Sequence, residues 1–477
     1  MLCIRLIWLP ALVMMLVRNV TSTVTCDIPC LEQDAIYPHP TDCSKYCHCS
    51  WGTPYEKTCP PDLLFNDLYK YCDWPENVVC SSSSTTKSTV TDGNTSELTA
   101  IPTTQYQPPK KKVVCYYTNW SQYRLENGFF PENINPDLCT HILFAFAQIV
   151  WDPSTAQYHL ATYEWNDAAM YNRVIQLKTQ NPSLRVMLSV GGYSHGHEIF
   201  ANASKTESTR AAFIDNVIIF LREHKLDGLD VDWEYPDGST KSQFSALLRE
   251  IRQAFERESE EAKQERLLLS AAMASGGWVI NIGYDLPAIT PSLDFLNVMT
   301  YDYHGPWSVP QVMRHHSALY RSSIDEIYNI DWTIKKYLAA GVPSSKLVVG
   351  IPMYGRYFIM ANPKKHDIGD PFVLPEEQTY SSMPYYKICE KRKLPGWSET
   401  LHPEHQVPYG WYDDKWVGFD DVSSAQRKAQ YVCNQALGGI MIWSLDCDDF
   451  SASYCGEGKY PLLSKINTVL ETCSGSS

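Results

Sequence analysis

Three carboxylates, Asp230, Asp232 and Glu234, occupy alternate positions in the otherwise apolar run Asp227-Gly228-Leu229-Asp230-Val231-Asp232-Trp233-Glu234. The run reads as a buried strand. Side chains on a strand repeat with a period of two, so the three acids share one face while Val231 and Trp233 point to the other. Core packing does not require such a row. Like charges roughly 7 Å apart in a water-poor place push protons back onto one another and raise at least one pKa. A carboxylic acid that keeps its proton near neutral pH is suited to general acid catalysis.

The elements that must hold these acids can be read from the alternation of apolar runs with helical patterns after residue 112. Strands are expected at 113–119, 142–148, 185–190, 228–234, 267–273, 295–302, 347–352 and 439–445. Eight parallel strands with intervening helices predict an α/β fold, a (β/α)8 TIM barrel of about 250 residues plus insertions. The widest gap, between strands 7 and 8 at about 357–426, predicts an α+β insertion that walls one side of a cleft. Active sites of such barrels lie at the C-terminal strand ends, where Glu234 falls on the fourth. Other side chains reach the same level: Tyr116 and Trp120 at the end of strand one, Tyr301 and Asp302 at the end of strand six, and Trp443 on strand eight. Gly191 and Gly192 end strand three, where the missing Cβ lets the backbone approach a ligand.

Composition narrows the setting. The chain has 477 residues, 44% hydrophobic and 20% charged, with a formal net charge of −14 that argues against nucleic acid or an acidic membrane surface as partner. Aromatic residues, at 12%, offer platforms for a flat, uncharged ligand such as a sugar as well as core packing. Residues 1–22, with Arg5, an apolar run from Leu6 to Leu16 and small residues at Val20-Thr21-Ser22, read as a secretory signal peptide too short to span a bilayer. No later run of about 18 apolar residues follows, so no membrane anchor is expected. The 16 cysteines agree with an exported, extracellular protein; removal of Cys3 leaves an odd count and so one free or intermolecular thiol.

Three zones follow the signal. Residues 23–80 pack eight cysteines into a short stretch, the mark of a small disulfide-stapled module, for which 105 connectivities exist by spacing alone. Residues 81–112 are rich in Ser and Thr with scattered Pro, a disordered and glycosylated linker. Residues 113–477 form the barrel. Asn94 and Asn202 stand in N-glycosylation sequons.

Residues 113 to 470 resemble a family-18 glycoside hydrolase, the chitinase family. The resemblance rests on the Asp-x-x-Asp-x-Asp-x-Glu run from Asp227 to Glu234, on Ser189-x-Gly191-Gly192, Met299-x-Tyr301-Asp302, the run from Gly350 through Tyr354 to Arg356, and Trp443. Residues 26 to 80 resemble a peritrophin-type chitin-binding domain, through the frame Cys30, Cys43, Cys49, Cys59, Cys72 and Cys80. That resemblance implies the pairs Cys30–Cys49, Cys43–Cys80 and Cys59–Cys72, with Cys26 and Cys47 left to bond each other. Trp51, Phe65, Tyr69 and Trp74 are its candidate stacking rings, though a minimal core claims at least some of them. In the barrel the family implies Cys115–Cys139 and Cys389–Cys455. Cys433, Cys447 and Cys473 match no family pair, which locates the unpaired thiol among them.

The same resemblance implies chitin and chitin oligosaccharides as ligands, no cofactor, no metal and a monomer. Family-18 catalysis is a recognised exception among retaining glycosidases, because the substrate's own acetamido group is the nucleophile. Glu234 would be the general acid, Asp232 would orient the acetamido group, Asp230 would share a proton with Asp232, and Tyr301 would bond the acetamido carbonyl. Trp443 would floor the cleaved sugar, Trp120, Trp307 and Tyr193 would extend the platform, and Asp302 and Arg356 would bind hydroxyls. Tyr116, Met299, Tyr354, Gly191 and Gly192 would complete the binding surface, and Asp227 would serve the structure below. Tyr193 stands where the family commonly has Trp, and His195-Gly196-His197 follows it without a third metal ligand. The competing expectation is a chitinase-like lectin or chitin-coat protein with little or no hydrolysis; such proteins usually lack the final glutamate.

Overall fold

Cysteines take the place of an apolar core in the N-terminal unit. The computed structural model describes residues 26, 36–50, 53–59, 64–66, 71–73, 75, 78, 111–374 and 382–473, which fall into two compact units divided after residue 103. The expected signal segment 1–22, Asn94 and the expected linker up to residue 110 lie outside the described residues. In the first unit β1 (Ile36–Pro38), β2 (Lys45–Ser50) and β3 (Thr53–Thr58) form an antiparallel sheet, and β4 (Leu64–Asn66) pairs with β5 (Tyr71–Asp73). Cys47 and Cys49, two apart on β2, are both buried, and Cys47 is bonded to Cys26. Cys43, Cys49 and Cys59 are disulfide-bonded as well. Cys30, Cys72 and Cys80 lie outside the residues whose side chains are described, so the three implied pairs Cys30–Cys49, Cys43–Cys80 and Cys59–Cys72 do too. Of the four candidate stacking rings, Phe65 is one that the minimal core claims: it is buried and stacked on Tyr46 at 5.1 Å, because a unit this small has few apolar side chains with which to make a core. Trp51, Tyr69 and Trp74 lie outside the described residues.

The second unit contains β6 (Lys112–Thr118), β7 (His141–Asp152), β8 (Gln157–Thr162), β9 (Arg185–Gly191), β10 (Gly228–Asp232), β11 (Leu268–Met273), β12 (Phe295–Val298) and β13 (Leu347–Pro352). An insertion with β14 (Tyr354–Met360), β15 (Phe372–Val373), β16 (Ser382–Pro384), β17 (Ser398–Leu401), β18 (Pro408–Tyr412) and β19 (Lys415–Gly418) follows, and β20 (Gly439–Trp443) comes last. Eight parallel strands, in the order β6, β7, β9, β10, β11, β12, β13, β20 and back to β6, close the barrel. Strand β8 is an added antiparallel partner that makes a hairpin with the overlong β7. Alternation divides the core in two. Odd positions of β6 such as Val113, Cys115 and Tyr117 pack outward under the helices, while Val114 and Tyr116 face inward with Leu143, Met187, Phe295, Val348 and Met441.

The insertion runs from Tyr354 to Gly418 rather than over 357–426. Its antiparallel sheet has a core of its own, with Phe358, Phe372 and Trp416. The end of the expected range belongs to a barrel helix, Val422–Asn434, because the Asp421 carboxylate accepts the Ser424 N–H at 2.7 Å as an N-cap. Lys428 of this helix is fully buried. It donates to Asp420 Oδ2 (2.6 Å) and to the Ser317 carbonyl and hydroxyl (2.7 and 2.8 Å), while Ser317 Oγ donates to the Thr300 carbonyl (2.8 Å). Lys428→Ala is therefore expected to destabilise the protein by about 3–5 kcal/mol, read by urea unfolding, since it strands the Asp420 charge in the core.

Two disulfides link Cys115 to Cys139 and Cys389 to Cys455. A third joins Cys433 to Cys473 and ties the helix Val422–Asn434 to the terminal helix Pro461–Cys473. Cys447 is the free, buried thiol among the described residues, and burial, then Asp446, pushes its pKa up to about 12. Asn202 is exposed, whereas Ser204 of its sequon is buried with its hydroxyl on the Phe200 carbonyl at 2.7 Å. No helix of the described residues is long and apolar enough to cross a membrane.

Candidate active site

The strand that carries the acids ends sooner than its pattern predicts. Strand β10 stops at Asp232, and Glu234 stands two residues beyond it in the turn. Leu229, Val231 and Trp233 pack outward, Trp233 stacked on Phe200 at 5.2 Å, which leaves Asp230 and Asp232 pointing into the barrel. Asp230 is fully buried and accepts four hydrogen bonds from four other strands: Tyr116 Oη (2.7 Å), Ser189 Oγ (2.8 Å), Ser270 Oγ (2.7 Å) and Asn297 Nδ2 (3.1 Å). Burial raises its pKa against these donors. Asp232, one layer higher, has no such set. Its Oδ1 is buried without a hydrogen-bond partner among the described residues, and burial, Glu234 and Asp230 push its pKa well up.

Glu234 is pushed up to about 7, first by burial and then by the Asp302 charge, against hydrogen bonds from the Tyr235 hydroxyl and the Tyr193 backbone N–H. The space left by the missing Cβ of Gly191 is taken up by the backbone of Asp232. A Cβ there would lie 2.1 Å from the Asp232 carbonyl oxygen, to which Gly192 N–H donates at 2.9 Å. The strand-six segment also ends early, at Val298, and Asp302 takes a left-handed φ of 56°. That turn aims Asp302 at Arg356, whose Nε and Nη2 reach it at 2.8 and 2.7 Å, with His316 Nδ1 at 3.3 Å. Although burial raises the Asp302 pKa, its bonds to His316 and Arg356 hold the carboxyl well below its usual range.

The rings surround these acids. Trp443 sits edge-on to Tyr116 at 5.1 Å and near Trp120 at 6.2 Å, with Phe146 stacked on Trp443 at 5.7 Å. Arg356 bridges Trp307 (4.9 Å) and Tyr354 (5.4 Å) as a cation over both rings. Trp120, Trp307 and Tyr193 are 40%, 56% and 84% exposed, so their faces are open for stacking. Tyr301 and Met299 are buried in the inner core, and among the described residues the Tyr301 hydroxyl has only the Met441 sulfur at 3.7 Å. A cleft between barrel and insertion is lined by Trp120, Arg124, Asp302, Arg356, Trp443 and Cys447. Asp227 lies at the other strand end, bonded to Lys178 (2.6 Å) and the Val186 N–H (2.6 Å).

The sequence model of Glycosyl hydrolases family 18 matches residues 112–448. The chain belongs to that family. A Chitin binding Peritrophin-A domain matches residues 30–80 of the same family-18 chain. Mouse chitotriosidase-1 is 39% identical over 375 residues, 75% of this chain and 78% of that protein. Probable chitinase 10 of Drosophila melanogaster is 34% identical over 479 residues, 95% of this chain and 20% of that much longer protein. Among solved structures, human YKL-39, described as a pseudo-chitinase with retained chitooligosaccharide binding properties, is 36% identical with a TM-score of 0.72, covering 76% of this chain and all of that one.

Several functional contacts of this family-18 chain are not legible in its sequence. Tyr235 follows Glu234 directly, and strand alternation would point it away; its hydroxyl reaches Glu234 only because the chain has left the strand. Arg124 pairs with Asp446, which also accepts from Thr118 Oγ1 at 2.9 Å, and so braces the turn after Trp443. The pairing of an Arg and an Asp 322 positions apart carries no local signal. His195 and His197 are used locally. His195 Nε2 accepts the Ile149 N–H at 3.2 Å, and His197 Nδ1 lies 2.9 Å from the Tyr235 carbonyl.

Proposed function

We propose that this chain is a secreted, endo-acting chitinase that hydrolyses β-1,4 linkages between N-acetylglucosamine units with retention of configuration. The observation that carries the reading is the buried, partnerless Oδ1 of Asp232 beside a glutamic acid that keeps its proton up to about pH 7. A buried acceptor without a partner costs free energy unless a ligand supplies the donor. The N–H of a 2-acetamido group is such a donor.

Glu234 protonates the glycosidic oxygen as the bond to the anomeric carbon breaks, and the leaving sugar takes the bonding electrons. The acetamido carbonyl oxygen closes on the anomeric carbon from the opposite face, and Asp232 stabilises the positive charge of the oxazolinium ring. Water then opens that ring, giving its proton to the Glu234 carboxylate. Asp230, sharing a proton with Asp232, makes the charge on the upper carboxylate adjustable, and the two titrate as one unit. Tyr301 donates to the acetamido carbonyl. Trp443 floors the cleaved sugar, Trp120, Trp307 and Tyr193 stack on its neighbours, and Asp302 and Arg356 bind hydroxyls. The disulfides and the chitin-binding module support action outside the cell, where the module holds solid polymer close to the barrel. Glu234, with its raised pKa, favours hydrolysis over the binding-only behaviour described for YKL-39.

Incubation with a chitin hexamer, with product lengths and first-formed anomer followed over time, tests this. The expected first product is the β-anomer, from internal cuts. An α-anomer formed first would contradict retention, and intact hexamer would return the binding-only reading.

A further inference from the structure

The barrel end away from Glu234 gathers cations that its own acids do not balance. Phe295, the first inward residue of β12, is fully buried there, with the Lys112 ammonium 5.8 Å from its ring centre and the His141 ring edge-on at 5.1 Å. Lys112 and His141 stand two residues before the inward-facing Val114 and Leu143, so period-two alternation aims them into the same mouth. Gly439 lets β20 approach Lys112 closely: a Cβ on it would lie 2.1 Å from the Lys112 carbonyl oxygen.

Arg252 and Arg266 both pair with Asp294, at 3.0 and 2.7 Å. Lys346 donates only to the Thr290 and Leu293 carbonyls, at 2.9 and 2.7 Å, and Lys112 Nζ has no hydrogen bond or ion pair among the described residues. Lys346 feels Arg252, Lys112 and Arg266 directly, so four cations share the one carboxylate of Asp294. The next acid, Glu265, is taken by Arg185 in a two-pronged pair at 2.7 and 3.1 Å. Burial lowers the pKa of Lys112 and, helped by the neighbouring cations, of Lys346. Holding like charges together at a half-buried site is unfavourable, and in a chain of net charge −14 it does nothing for solubility.

We propose that this N-terminal mouth of the barrel is an anion site, in which Lys112, Lys346 and the two guanidinium groups on Asp294 hold a sulfate or phosphate group, free or esterified to a sugar. A tetrahedral dianion would accept charge-assisted hydrogen bonds from both lysines and balance the surplus charge. Its place at the far end of the barrel makes it independent of the chitinase reading.

The test is calorimetric titration of the full chain at constant ionic strength, one arm with inorganic sulfate at millimolar concentration and one with glucosamine 6-sulfate. Saturable one-site binding is expected, weakened about tenfold or more by Lys112→Gln and by Lys346→Gln separately. Hydrolysis of the chitin hexamer should be unchanged in both variants. Equal binding in the two arms identifies a free oxyanion as sufficient, and binding of the ester alone identifies a sulfated sugar. Absence of saturable heat in both arms, or binding unchanged in both variants, overturns the proposal. Lys346→Gln, in a partly exposed turn, supplies the comparison if Lys112→Gln does not fold.

Discussion

Glu234→Gln is expected to cleave chitin oligomers about 10²–10⁴-fold more slowly than the wild type while binding them with similar affinity, because the amide keeps the shape of the acid but has no proton to give. The measurements are kcat on the hexamer and the dissociation constant from titration calorimetry. Undiminished kcat would remove Glu234 from the acid role. In the wild type the basic limb of the kcat/KM profile should fall near the pKa of about 7 that burial gives this group, and activity should decline as pH rises through it.

The same shift has a consequence for stability. The folded-state pKa of Glu234 lies above its ordinary value of 4.5, so the stability associated with the protonated form is intact below pH 4.5 and is lost as pH rises through about 7. Glu234→Gln never has to bury that charge. It should be more stable than the wild type at pH 8.5, by about 1–3 kcal/mol, and no more stable at pH 4.5, as read by urea unfolding at the two pH values. Equal stability at pH 8.5 would mean that the wild-type carboxylate is well solvated.

Asp232→Asn is the second large effect. The amide can still meet the acetamido group, but it cannot stabilise a positive oxazolinium ring, so kcat should fall by about 10²–10³. The Glu234 charge raises the Asp232 pKa, and repulsion between two carboxylates acts on both members of the pair, so neutralising Asp232 should also move the basic limb to lower pH. A purely structural residue would lower the amount of folded enzyme without moving that limb. A profile unchanged in position would therefore assign Asp232 to packing.

The face on which Asp230 and Asp232 lie was legible from spacing, because period-two alternation is a property of any strand and needs no knowledge of its neighbours. The order of eight apolar runs likewise gave the barrel, since parallel strands joined by helices have few ways to close. Strand ends were less legible. The runs at 228–234 and 295–302 stay apolar past the point where the backbone turns, so the pattern places Glu234 and Asp302 in strands although both stand in turns. Which of the four rings in the small module its core would claim is not legible either, because sequence does not reveal that Tyr46 covers Phe65.

What the sequence determined by itself was the row of acids, the barrel that carries it and the family whose motifs it bears. Tertiary structure decided what makes those acids different from one another. Asp230 is satisfied by donors on four strands, 40 to 114 residues away, whereas Asp232 is left partnerless and Glu234 meets Tyr235. It also paired Cys433 with Cys473 and brought Lys112, Lys346, Arg252 and Arg266 around Asp294. The physical reason is common to all of these. A residue's face follows from its own few neighbours in the chain, but its partners, and through them its pKa, follow from the register in which distant strands close into a ring.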